Sequence, residues 1–235
     1  MAKRILDLGC GQGYNTRYLS KRNQVIGIDI SAEDIAIAER KFPKVDFRVM
    51  DGGALQFETN YFDEIYAQDA LEHLDNIESA IKEVKRVLNP GGRFTVTIPY
   101  WKSEKWLLKI RPTYFEEIHH VRIFGDGELE GLLSKYGFTM IKKRRIGFLS
   151  HIFQYYMFKR KTKKKSQLGI GLWSDSWQAT FLFVALLFFD TQVFKSPLKY
   201  VPIWIITMPI GLVINFFGNI FFPKTIYYQF KKNAN

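Results

Sequence analysis

The chain has 235 residues, 47% of them hydrophobic and 16% aromatic, and carries a net charge of +11. That is enough for one globular domain with something added. Cys10 is its one cysteine, which excludes an intrachain disulfide and suits a reducing compartment. The charge is localised: no acid stands between Glu130 and Asp175, where eleven Lys and Arg residues equal the whole excess. A focused basic stretch implies an anionic partner, lipid headgroups or nucleic acid.

In chain order, the first element is a short apolar strand, Ile5-Leu6-Asp7-Leu8, stopping at the glycine-rich turn Gly9-Cys10-Gly11-Gln12-Gly13. A helix-like segment, Tyr14 to Arg22, follows. Strand, glycine turn, helix is how a doubly wound sheet brings backbone close to a nucleotide. Dinucleotide sites want a small sixth residue in that turn, and Tyr14 stands there, so pyrophosphate is disfavoured. Gln24 to Asp29 reads as a second strand ending in an acid about 20 residues after Gly9, able to accept ribose hydroxyls. Ser31 caps a helix to Lys41, with Ile35 and Ala38 on one face. Val45 to Asp51 and Phe62 to Ala67 read as the third and fourth strands. Asp75 to Leu88 reads as a helix, with Ile77, Ala80, Ile81, Val84 and Leu88 at helical spacing. The turn Leu88-Asn89-Pro90-Gly91-Gly92 leads into a fifth strand, Arg93 to Pro99.

These five motifs, in this order, resemble those of class I S-adenosylmethionine-dependent methyltransferases. Within that class they resemble the type 11 and quinone-biosynthesis group, over roughly residues 4 to 146. The resemblance implies an α/β fold: a doubly wound, mostly parallel seven-stranded sheet. It implies S-adenosyl-L-methionine held by Asp7, Gly9, Gly11, Gly13, Asp29 with Ile30, Asp51 with Gly52, and Gln68. In that assignment Asp29 holds ribose, Asp51 and Gly52 address adenine, and Gln68 borders the donor methyl. It also implies helices upstream of the first strand. Only Met1 to Lys3 precede that strand here, with no signal peptide, so either the start is truncated or the cover comes from elsewhere.

After Pro99 the segment Tyr100 to His120 is aromatic and basic, and reads as a substrate loop with a short helix. Asp126 to Tyr136 is a helix that Gly137 ends, and Phe138 to Ile146 is a sixth strand. Two stretches compete for the seventh: Phe153 to Lys159, and the preferred Thr225 to Lys232. The second choice gives a methyltransferase domain over residues 1–146, completed by 225–232, around a basic and apolar helical insertion at 147–223. Tyr200 to Pro223 carries no charge and is long enough to span a bilayer. It contains Pro202, Pro209 and Pro223, so it is no ideal straight helix. A buried soluble lid is the competing reading. If the last strand returns to the sheet, both ends of the insertion lie on one side of the membrane, and their positive flanks place that side in the cytoplasm.

Methyl transfer from a sulfonium needs a base only where the acceptor must lose a proton. His73, His119 and His120 are the candidates. Asp69, Glu72 and His73 would share a helix face at i, i+3, i+4. The arrangement resembles the ExxEH element of some metal-assisted O-methyltransferases, with His119 or His120 completing it, and whether a metal is used stays open. The expected partners are a lipid or lipid-linked acceptor and an anionic membrane surface, with nucleic acid disfavoured because the basic stretch adjoins apolar segments. The expected place is the cytoplasmic face of a membrane. A catalytically silent, membrane-anchored module and an RNA methyltransferase are the alternatives.

Overall fold

The structure is a computed structural model and describes residues 2–110, 112–146 and 223–234. Seven strands make one sheet: β1 (Arg4–Leu8), β2 (Gln24–Asp29), β3 (Asp46–Val49), β4 (Phe62–Gln68), β5 (Leu88–Pro99), β6 (Phe138–Ile146) and β7 (Thr225–Lys232). They lie in the order β3-β2-β1-β4-β5-β7-β6. The pairs β1–β2, β1–β4, β2–β3 and β4–β5 are parallel. β7 runs antiparallel to both of its neighbours, with Val96 opposite Tyr228 on one side and Lys143 opposite Tyr228 on the other. Strands covered on both faces read as continuous apolar runs. Leu6, Ile65, Ala67, Phe94 and Val96 are accordingly buried, and Tyr228 and Phe230 bring the same property to β7.

The helices are α1 (Tyr14–Leu19), α2 (Ala32–Lys41), α3 (Ile77–Val87), α4 (Trp101–Ile110), α5 (Tyr114–Ile118) and α6 (Glu128–Lys135). Ser31 caps α2 as expected, its hydroxyl accepting from Asp34 N at 3.2 Å. α3 starts later than Asp75 because Asn76 is the cap, accepting from Ser79 N at 3.0 Å. It buries Ile77, Ala80, Ile81, Val84 and Val87 along one stripe. α1 ends at Leu19, well short of Arg22, where Ser20 N turns back to Thr16 O.

One expectation changes here, and the preferred seventh strand is borne out. The segment after β5 is not a loop with one short helix but two helices, α4 and α5. The aromatic residues that obscured its period are partly core: Tyr100 and Tyr114 are buried. The Thr225–Lys232 strand takes the seventh place, set by its pairing with both β5 and β6. Its rival, Phe153 to Lys159, lies outside the described residues, as does the insertion at 147–223 apart from Pro223. Among the described residues no helix is long and apolar enough to cross a membrane. β6 is the edge strand, and its Lys142, Arg144 and Arg145 are exposed, the usual guard against edge-to-edge pairing.

Candidate active site

The cofactor side is built from main chain. Leaving β1, the backbone turns so that Gly9 N and Cys10 N both donate to Ile28 O at 2.9 Å, tying the loop to β2. Gly11 N donates to Asp29 Oδ2 at 2.8 Å, and Ser31 N donates to Asp29 Oδ1 at 3.0 Å. Gly9, Gly11 and Gly13 all have positive φ. Their reasons differ. A Cβ on Gly9 would lie 2.6 Å from Ala70 Cβ, and one on Gly13 would lie 2.4 Å from the Phe47 ring. A Cβ on Gly11 would meet nothing within 4 Å, so Gly11 alone fronts open space. The glycines at 9 and 13 serve packing, and Gly11 leaves the face over which a ligand can lie.

Asp7 sits beneath this loop rather than in it. It is 1% exposed and accepts from Thr16 Oγ1 at 2.6 Å, which ties α1 to β1. Burial pushes its carboxyl up to about 6, against the Thr16 bond, and the charge of Asp29 adds to the rise. Cys10 is buried with its thiol pushed well up by that burial, so it fills space and is no nucleophile. Asp29 is half-buried. Its two oxygens take one backbone N–H each, and the lone pairs that remain suit ribose hydroxyls. Ile30, beside it, is 75% exposed, an apolar surface for a base to lie on. Asp51 is exposed, and its Oδ1 accepts from Gly53 N at 2.8 Å, capping a turn. Gly52 is buried against Leu8. Gln68 ends β4 and accepts through Oε1 from the Asn15 side chain. These features fit a nucleoside with an amino-acid tail.

The acceptor side is built from side chains. The expected helix holding Asp69, Glu72 and His73 is a single 3₁₀ turn, Leu71–His73. Asp69 adopts φ 47° and is bound to Thr97, whose Oγ1 donates to Asp69 Oδ1 at 3.0 Å, so it shares no helix face with the other two. Glu72 turns inward, 1% exposed, and His73 turns outward. His73 and His120 come together, ring centroids 4.7 Å apart and edge to face. His120 Nδ1 lies 2.9 Å from Glu104 Oε2, and its Nε2 lies 3.9 Å from Glu72 Oε1. His119 brings only its backbone: its carbonyl lies 2.9 Å from His73 Nδ1, while its side chain is exposed.

Burial lowers the His73 pKa against the pull of that carbonyl, and the ring feels the charges of both Asp69 and Asp29. Both effects of its surroundings considered, the ring is shifted toward the neutral imidazole. Burial raises Glu72 well above the carboxylate range, and the charge of Asp69 raises it further. Neither Glu72 carboxyl oxygen has a hydrogen-bond partner among the described residues, consistent with a neutral acid. Glu72, His73 and His120 each offer a ligand atom within 4.8 Å of the others, an oxygen and imidazole set of the kind that takes a divalent ion. Glu104 and Thr97 were absent from the expected site. Nothing in the sequence marks Glu104, 16 residues before the histidine it holds.

A parallel sheet in this order, with one antiparallel strand set beside β5 and a glycine loop after β1, is the methyltransferase variant of the doubly wound fold. Residues 6–96 match the family model described as "Methyltransferase domain". The chain is 34% identical over 102 residues to the chloroplastic tocopherol O-methyltransferase of Arabidopsis thaliana, covering 40% of this chain and 29% of that protein. It is 32% identical over 101 residues to phosphoethanolamine N-methyltransferase 2 of Caenorhabditis elegans, covering 40% of this chain and 23% of that protein. The chain thus spans less than a third of either relative's length. In structure it is similar to the [4+2]-cyclase SpnF, at a TM-score of 0.57 and 21% identity, covering 100% of this chain and 76% of that one. Domain and fold together support S-adenosylmethionine as the cofactor.

Proposed function

We propose that this chain is an S-adenosylmethionine-dependent methyltransferase acting on a membrane-associated or lipid-linked small molecule. The observation that carries the reading is the open face at Gly11 beside the Asp29 carboxylate, which holds Gly11 N and keeps lone pairs for ribose hydroxyls. When bound, the cofactor supplies a methyl group already activated by its sulfonium. The chain's own part is positioning, exclusion of water and removal of one proton. Asp29, with Ile30 and the Gly9–Gly13 backbone, orients the donor. His73 takes the acceptor's proton. His120 is too enclosed to meet an acceptor directly, with its side chain 7% exposed, and His119 points to solvent.

The lipid class rests on two supports. One relative is named for tocopherol, an apolar acceptor, and another for phosphoethanolamine, a lipid headgroup fragment. The exposed basic edge at Lys142, Arg144 and Arg145 leads directly into the basic and apolar residues 147–223. An anionic membrane surface, met from its cytoplasmic face, is the partner proposed for that edge. Flotation with phosphatidylserine vesicles against neutral vesicles tests the membrane part. Calorimetry with S-adenosylmethionine, followed by transfer of labelled methyl into a lipid extract, tests the rest. Binding without transfer to any lipid fraction would favour a silent module, and label in RNA would favour the nucleic-acid alternative. SpnF, of the same fold, is named for a cyclisation, so the transfer itself must be measured.

A further inference from the structure

We propose that Glu104 is a positioning residue which, through His120, keeps the proton of His73 on Nδ1 and leaves Nε2 bare as the base. This rests on the reading of His73 as the group that deprotonates the acceptor. The argument starts at the His119 carbonyl, 2.9 Å from His73 Nδ1. A carbonyl oxygen only accepts, so Nδ1 must carry the hydrogen and the lone pair of the neutral ring falls on Nε2. The tautomer of His73 is therefore set by where one backbone carbonyl points.

That carbonyl does not point there unaided. His119 has φ 58° and ψ 36°, the left-handed region, which a residue with a side chain holds only when its surroundings impose it. The next residue supplies the hold. His120 N donates to Phe115 O at 3.1 Å, and its ring is walled by Phe115 at 5.4 Å and by His73 itself at 4.7 Å. The directional contact on that ring is Glu104 Oε2 at Nδ1, 2.9 Å away, between side chains 6% and 7% exposed. Glu104 in turn sits on an anchored end of α4. Ser103 Oγ donates to Pro223 O at 2.7 Å, and Tyr100 N donates to Lys224 O at 2.8 Å, both just ahead of β7.

The chain of contacts runs from the sheet through α4, Glu104, the His120 ring and the His119 carbonyl to the base. A second tie closes it, Val121 N donating to Glu72 O at 3.0 Å. An apolar pair of similar volume would commonly hold such a contact as stably as two buried ionisable groups. What Glu104 adds is a fixed direction for the ring, the triad logic of a base oriented by a third group.

The test needs no acceptor. Long-range proton–nitrogen NMR of the full chain, recorded where His73 is neutral, reads the state of each imidazole nitrogen. The wild type should show His73 protonated at Nδ1 and bare at Nε2. Glu104→Gln, which still bonds the ring, should keep that signature. Glu104→Met, of similar length but without a polar end, should lose it, with both His73 nitrogens moving toward averaged shifts. An unchanged signature in Glu104→Met overturns the proposal, and so does equal loss in Glu104→Gln. Should Glu104→Met not fold, His120→Phe, which leaves Glu104 nothing to hold, carries the same two outcomes. Calorimetry with S-adenosylmethionine on the same samples should show unchanged affinity across the variants. Failure of the wild type to bind would remove the proposed function while the tautomer result stood.

Discussion

The two halves of the site are made in different ways. The cofactor half, from Leu8 through Asp29, is main chain held by the end of β2: Gly9 N and Cys10 N donate to the Ile28 carbonyl and Gly11 N to the Asp29 carboxylate. The acceptor half is a packing of side chains from the turn after β4, from α4 and from the end of α5. Glu72, His73, Glu104, Phe115 and His120 meet there across separations of up to 48 residues. A site made of backbone constrains residue type locally, because only glycine takes the required φ. A site made of side chains constrains only the sum of its parts. The first kind is therefore shared widely across one fold, and the second is free to specialise.

Substitutions can break the contrast. The largest effect should come from the acceptor half. His73→Gln is expected to lower turnover about 10²–10⁴-fold, the usual worth of a general base, with donor affinity intact. Single-turnover rates with labelled donor check it, and equal loss of donor binding would merge the two halves.

Next is the floor of the cofactor half. Burial pushes the Asp7 carboxyl up to about 6, against 3.8 ordinarily, so between those pH values the folded protein holds a proton that the unfolded chain has released. Its contribution is complete below about 3.8 and is lost as pH rises through about 6, worth about 3 kcal/mol. Asp7→Asn keeps an acceptor for Thr16 and should flatten that slope in denaturation midpoints between the two pH values, gaining stability at neutral pH. A slope identical to wild type would place the titration elsewhere.

Asp29→Ala should weaken S-adenosylmethionine binding by about 1.5–3 kcal/mol, as for a charged hydrogen-bonding group, measured by calorimetry. The smallest and most discriminating pair is Gly9→Ala against Gly11→Ala. Both carry the left-handed penalty of about 1–2 kcal/mol. Gly9→Ala adds overlap with Ala70 and should be the less stable protein in thermal melts, whereas Gly11→Ala should be the one that binds cofactor more weakly. Matching behaviour would undo the division of labour among the three glycines.

The legibility of the fold follows the same division. Strands β1 and β2 announce themselves as apolar runs meeting a glycine or an acid, and Ser31 marks its helix by a local capping bond. The seventh strand was a choice between two stretches, decided only by pairing across some 80 residues of sequence. Asp69 was grouped with Glu72 and His73 on helical spacing, because no local signal shows that Thr97 would claim it. Glu104 carries no mark at all, since an acid in a helix reads as solvated surface until the fold buries it. Residues 147–222 lie outside the described residues, so the membrane reading of that stretch rests on composition alone.

The place of β7 has a consequence for synthesis. Among the described residues strand β6 pairs only with β7, and β7 is translated after everything in between. On the ribosome, then, Phe138–Ile146 and the outer edge of β5 both emerge before the described strand that pairs with them. Sheet completion is a late, long-range event of the slow kind, and it leaves a nascent intermediate with a bare β5 edge for chaperones to cover. A chain interrupted before Thr225 would stay in that state, with its glycine loop formed and its α4 anchor at Pro223 and Lys224 unsupported.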